Sequence, residues 1–138
     1  MVTLIIGKKG SGKTKKLIQL ANEAVAKSSG NVVVIDKGSK LTYDVTHKAR
    51  LIDTDVYGIK GYEMLLGFIS GICAGNYDVT DIFVDSTFKI CPEAVNGLEA
   101  FIVKLNALEA ESEAKITLLV SSGDTELPSE LSAVCEEI

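Results

Sequence analysis

Eight residues near the N-terminus, Gly7-Lys8-Lys9-Gly10-Ser11-Gly12-Lys13-Thr14, constrain this 138-residue chain more than any other segment. They follow a short apolar run, Val2-Thr3-Leu4-Ile5-Ile6, rich in β-branched residues and bounded by Gly7, which reads as a buried strand. They precede residues 13–28, where Leu17, Leu20, Ala21, Ala24 and Val25 recur three and four apart on one helical face before Gly30. A strand that turns into a helix through a glycine-rich loop leaves successive backbone N–H groups free to point at one spot.

The rest of the chain continues the alternation. Val32-Val33-Val34-Ile35 is expected to be a second buried strand ending at Asp36, with a short strand possible near Ala49–Ile52. Residues 61–74 suit a helix with Met64, Leu65, Phe68, Ile69 and Ile72 inward and Gly75-Asn76 as its stop. Gly67 and Gly71 either bring that helix close to a sheet or merely mark a tolerant surface. Ile82-Phe83-Val84 is a third strand, ended by Asp85, whereas Asp81 at its start reads as structural. Pro92 suits the first turn of a helix that runs through Val95, Leu98, Phe101, Ile102, Leu105 and Leu108. Ile116–Val120 is a fourth strand, ended by Ser121-Ser122-Gly123, and the tail from Thr125 suggests a short edge element. Strands this apolar are covered on both faces, so the expected fold is a single α/β domain over 1–138, three-layer α/β/α with a mainly parallel sheet.

The loop carries the chemistry. It reads G-x-x-x-x-G-K-[ST] in full, the Walker A pattern. A chance match in a chain of this length is on the order of one in a hundred or rarer, and here strand and helix flank it as the pattern demands. Gly7, Lys8, Lys9, Gly10, Ser11, Gly12, Lys13, Thr14 and Lys15 are therefore the candidate nucleotide-binding residues. The backbone N–H groups and the helix start favour phosphate oxygens. Lys13 is expected to reach the outer phosphates and Thr14 to offer its hydroxyl to Mg²⁺, and Asp85, at the end of an apolar Walker B-type strand, would hold that Mg²⁺ through water.

On these two motifs the chain resembles P-loop NTPases, and the path through a strand ending in Asp36 to a late Walker B strand is similar to their RecA-like and thymidine kinase-like branch. That resemblance implies another strand between the Walker A and Walker B strands, a place that residues 116–120 fill, with Ser121 and Ser122 beside the terminal phosphate as a polar sensor. It also implies a glutamate near Asp85 to orient the attacking water, but Ser86 and Thr87 stand there instead. Asp36 is the best substitute and is also a plausible turn former before Lys37-Gly38; Asp53 and Asp55 are further back. Lys8 matches the signature lysine of dimeric DNA-partitioning ATPases, although Lys9 replaces a glycine there and their D-x-x-G after the Walker B strand is absent. The candidate catalytic residues are thus Lys13, Asp36 and Ser121, with Thr14 and Asp85 for the metal.

Charge and composition narrow the partners. Residues 1–60 carry eleven cations against five acids, and residues 61–138 three against fourteen, for a net charge of −5. Lys8, Lys9, Lys15 and Lys16 are expected either to form a collar around a polyanion or to be solvated surface lysines, the latter favoured for Lys16, while the overall acidity argues against broad nucleic-acid binding. No apolar run is long enough to span a bilayer, and Val2–Ile6, short and with its lysines following, is not expected to act as a secretion signal. Cys73, Cys91 and Cys135 form no C-x-x-C pair, so reduced thiols and a cytoplasmic location are expected, with Cys91 either a buried thiol or one activated at a helix start. His47 has no ligand partner, and Arg50, the single arginine, is either surface or a finger for a neighbouring copy. No N-K-x-D motif for guanine is present. The expected function is ATP and Mg²⁺ binding with slow or partner-stimulated hydrolysis as a switch, in a homo-oligomer or with a protein partner. The alternatives are a small-molecule kinase and a non-hydrolysing nucleotide sensor.

Overall fold

The structure is a computed structural model that describes residues 1–8, 10–121 and 127–138. Six strands, β1 (Val2–Gly7), β2 (Asn31–Asp36), β3 (Arg50–Asp53), β4 (Val79–Val84), β5 (Lys115–Ser121) and β6 (Cys135–Glu137), form one sheet in the order β3-β2-β4-β5-β1-β6. Every pairing is parallel, with Gly7 opposite Ser121, Val84 opposite Leu118 and Ile35 opposite Val84. β5 lies between β1 and β4, as the sequence reading expects, and the C-terminal tail supplies a short edge strand on β1.

Helices cover both faces because the strand side chains alternate between two apolar sets. Ile5, Val32, Val34, Phe83 and Leu119 face α1 (Lys13–Lys27), which buries Leu17 and Ala21 against them. Leu4, Val33, Ile35, Ile82, Val84, Ile116, Leu118 and Val120 face the other way. Onto them pack α2 (Tyr62–Gly75), through Leu65 and Ile69, and α4 (Leu98–Ser112), through Phe101, Ile102 and Leu105. Fully burying one such side chain contributes about 1.5–3 kcal/mol, so both faces hold the sheet. The segment after β2 is part of this packing. Leu41, Val45 and Ala49 are buried on the α1 side, and Asn22 of α1 ties the segment down through Asp44 O (3.1 Å) and Thr46 N (2.9 Å).

Two sequence expectations need correction, for Met64 and Pro92, and one left open, for Gly67 and Gly71, is decided. Met64 points outward and is 51% exposed; Tyr62, Leu65, Ile69 and Cys73 form the buried stripe of α2 instead. Gly67 and Gly71 do not bring α2 close to the sheet, since a Cβ added at either would meet no atom within 4 Å. Pro92 does not start the long helix. A one-turn helix, α3 (Thr87–Ile90), ends before it, turns through Ala94 (φ 53°) intervene, and α4 begins only at Leu98. Those turns are fastened to α2: Tyr62 O–H donates to Ala94 O, and Glu93 Oε2 accepts from Tyr62 N at 3.2 Å. Among the described residues no helix is long and apolar enough to cross a membrane.

Candidate functional site

The C-terminal ends of β1, β4 and β5 open into a cleft of about 250 Å³, walled by Gly10, Lys13 and Thr14 on one side and Asp85, Ser86 and Thr87 on the other. Ser121 closes its floor and Lys40 reaches in from the segment after β2. In parallel α/β sheets this end, next to a helix start, is where ligands bind.

The loop side follows from its glycines. Gly10 and Gly12 take φ values of 82° and 85°, a left-handed conformation that side chains with a Cβ resist. A Cβ on Gly7 would meet Ser11 Oγ, an exposed hydroxyl that would have to rotate away, so the loop folds back tightly over the end of β1. Lys8 O accepts from Ser11 N at 3.0 Å and from Lys13 Nζ at 3.2 Å, which lays the Lys13 chain back across the loop. α1 then starts at Lys13 with no side-chain cap and no acid in its first turn; Lys13, Lys15 and Lys16 stand there instead. Cations at a helix N-terminus oppose the helix dipole, and the first N–H groups of a helix have no partner within it. An anion at this point resolves both conflicts.

The acid side follows from adjacent strand ends. Asp85 N donates to Ile35 O at 2.8 Å, extending the β2–β4 ladder so that Asp36 and Asp85 lie next to each other. Both are buried. Asp36 Oδ1 accepts from Lys37 N at 2.8 Å and Asp85 Oδ1 from Ser86 N at 2.7 Å. Oδ2 of each acid, and the hydroxyls of Thr54 and Thr87, are buried without a hydrogen-bond partner among the described residues. Lys40 Nζ lies 3.6 Å from Asp36 Oδ1 and 3.8 Å from Asp85 Oδ2, and donates to Ser86 Oγ at 2.9 Å. Burial, then the neighbouring Asp85, raises the Asp36 pKa above 3.8, and Lys40 offsets part of that rise. Ser86 adopts the left-handed region (φ 57°) at the tip of this turn, a strained conformation that the surrounding structure must hold in place.

The structure thus brings Gly10, Lys13, Thr14, Asp85 and Ser121 to one cleft. Lys8, Ser11 and Lys15 are exposed at its rim, and Gly7 and Gly12 frame the loop. Lys9 and Ser122 lie outside the described residues. Asp36 is not on the cleft wall; it stands behind Asp85 and meets the cleft through Lys40. Asp53 and Asp55 are held elsewhere: Asp53 Oδ1 accepts from Gly38 N and Asp55 N (2.8 and 2.9 Å), and Asp55 pairs with Lys37 at 2.9 Å. Asp81 accepts from the Thr80 hydroxyl at 2.8 Å, at the far end of β4. Arg50 is exposed at the start of edge strand β3, the sheet end opposite the cleft, and His47 is exposed. Cys91 is buried, and its thiol is pushed up to about 12 by burial and by Glu93, which makes it inert.

Sequence reasoning missed Lys40 and Ser86. The one signal was the spacing Asp36-x-x-x-Lys40, which in an irregular segment has no fixed meaning.

Among the described residues no cluster of three or more His, Cys, Asp or Glu side chains is placed to cage a metal. A hard cation here would take Asp85 and complete its shell with the Thr14 hydroxyl, water and ligand oxygens. That is how Mg²⁺ is ordinarily held, and the orphaned Asp85 Oδ2 fits it. No protein-family model matches the chain, and comparison with curated proteins finds no match.

Proposed function

We propose that this chain is a P-loop protein that binds ATP with Mg²⁺ and hydrolyses it slowly, as a nucleotide-dependent switch. The observation that carries the reading is the convergence of an uncapped, lysine-bearing helix start and a buried carboxylate with a free oxygen on one cleft. Each alone is common; together they match the two halves of a metal–triphosphate.

In this reading the loop amides around Gly10–Lys15 bind the inner phosphates. Lys13 leaves Lys8 O, a single 3.2 Å bond, for the outer ones. Thr14 and Asp85 hold Mg²⁺, which when bound neutralises charge on the phosphate oxygens and fixes their geometry. Ser121, at the end of the strand beside the loop, orients the terminal phosphate by hydrogen bonding. The absence of an N-K-x-D motif favours adenine over guanine.

Hydrolysis needs a group that positions water. Asp36 is the candidate in the adjacent strand end, and its raised pKa would suit a base. Its place behind Lys40 favours a second reading, a sensor that binds without turning over, because Asp85 is the one carboxylate on the described cleft wall. Single-turnover hydrolysis of Mg²⁺-ATP at high protein concentration separates the two. A rate of roughly 10⁻⁴ to 10⁻² s⁻¹ is expected for an unassisted switch. A rate near 1 s⁻¹ would mean efficient water activation and contradict the slow-switch reading. No turnover beyond that of Lys13→Ala would leave the sensor.

A further inference from the structure

Lys40 is the part of the cleft that nucleotide binding alone does not explain. Asp36 and Asp85 stand side by side with their side chains 1% exposed, whereas the Lys40 side chain is 46% exposed. Two buried like charges repel, and a cation over them relieves the repulsion. Lys40 does this loosely. At 3.6 and 3.8 Å its ammonium is beyond hydrogen-bond distance of both acids, and its one hydrogen bond goes to Ser86 Oγ at 2.9 Å. Both Oδ2 atoms stay without a hydrogen-bond partner among the described residues. Lys40 therefore supplies charge without satisfying the lone pairs. It sits on a flexible four-carbon stem with a solvent side, and the oxygen it approaches, Asp85 Oδ2, is also one left without a hydrogen-bond partner among the described residues.

We propose that Lys40 is a tethered counter-ion of the Asp36–Asp85 pair that competes with a divalent cation for Asp85 and, once displaced, moves onto the terminal phosphate of bound nucleotide. The second half rests on the nucleotide reading above; the first does not. Lys40 lowers the apparent affinity for metal alone by the fraction of time it occupies the acids. A bound triphosphate gives its ammonium another anion, so metal and nucleotide strengthen each other's binding.

The probe is Mn²⁺ without nucleotide, titrated into the full chain at pH 7.5, with free Mn²⁺ read by electron paramagnetic resonance. Lys40→Met is expected to bind Mn²⁺ at least about tenfold more tightly than the unmodified chain, and Lys40→Arg to stay within about threefold of it. Adding Asp85→Asn to Lys40→Met should remove the gain. Equal or weaker Mn²⁺ binding by Lys40→Met, or a gain that survives Asp85→Asn, would overturn the proposal. If Lys40→Met does not fold, Ser86→Gly decides. It removes the hydroxyl that holds Lys40 at a position whose positive φ suits glycine, and should tighten Mn²⁺ binding about two- to threefold; no change overturns the proposal. These titrations involve no nucleotide. A chain that fails to bind ATP yet shows the Lys40→Met gain loses the nucleotide reading alone, and one that binds ATP through Lys13 without the gain loses the counter-ion alone.

Discussion

Three long helices pack on the same sheet, and their first turns differ. α2 and α4 each begin with an acid in the first turn, Glu63 and Glu99, as the positive end of a helix dipole favours. α1 begins with Lys13, Lys15 and Lys16 and has no acid there; none of the three helices has a side-chain cap. All three bury regular apolar stripes, so α1 is not poorly built; its irregularity is confined to the turn that faces the cleft. Sequences that fold well are locally consistent, and a rule broken at one point is where a functional or strained site is expected. The phosphate-binding reading rests on this contrast.

The strongest way to break the contrast is Lys13→Ala. It should weaken ATP binding by about a hundredfold or more, an effect of roughly 2.7 kcal/mol, measured by fluorescent-nucleotide titration. Thermal stability should hardly move, since Lys13 makes one exposed hydrogen bond. A large loss of stability with little loss of binding would reverse the assignment. Next, Asp85→Asn should abolish most of the gain in ATP affinity that Mg²⁺ provides, while affinity in excess chelator stays nearly unchanged. Equal losses in both conditions would mean that Asp85 serves the fold and not the metal.

The third prediction concerns pH. Asp36 has a folded pKa above its ordinary 3.8. The folded chain then holds the proton more tightly than the unfolded one, so this group favours folding at low pH and loses that contribution as pH rises through the folded value. Asp36→Asn should therefore raise the melting temperature at pH 7, with an advantage that shrinks and disappears as pH falls below about 3.8. A variant less stable than the parent at pH 7 would contradict the burial argument. The smallest effect sharpens the helix comparison itself. Lys15→Glu should stabilise the ligand-free chain by about 0.3–1 kcal/mol while weakening ATP binding, and Glu99→Lys should cost a similar amount and leave ATP binding alone. Denaturant melts and binding titrations of both variants check this, and parallel behaviour of the two helices would remove the distinction.

Much of this was legible beforehand because the relevant physics is local. The apolar runs that became β1, β2, β4 and β5 are continuous, as strands covered on both faces are, and Asp36 and Asp85 close two of them. The loop glycines declare their backbone in their spacing. What escaped was set by contacts distant in sequence. Met64 has the right period to face inward, but Tyr62, bonded to Ala94 and packed with its ring tilted against Phe101, takes the inner stripe of α2. Pro92 is a good first helical residue, yet the left-handed Ala94 postpones the helix to Leu98. Lys40 lies in a segment without periodicity, and its position depends on Leu41 and Val45 being buried beside α1.

Phosphate binding at the start of α1 is tested by where ATP meets this chain. The most direct measurement is the backbone amide spectrum of the isotope-labelled protein, recorded as Mg²⁺-ATP is added. Shifts concentrated at Gly10–Lys15 and at Asp85–Thr87, with the starts of α2 and α4 unmoved, are the predicted result. No shifts at saturating nucleotide, or shifts centred on α2 or α4, would contradict it.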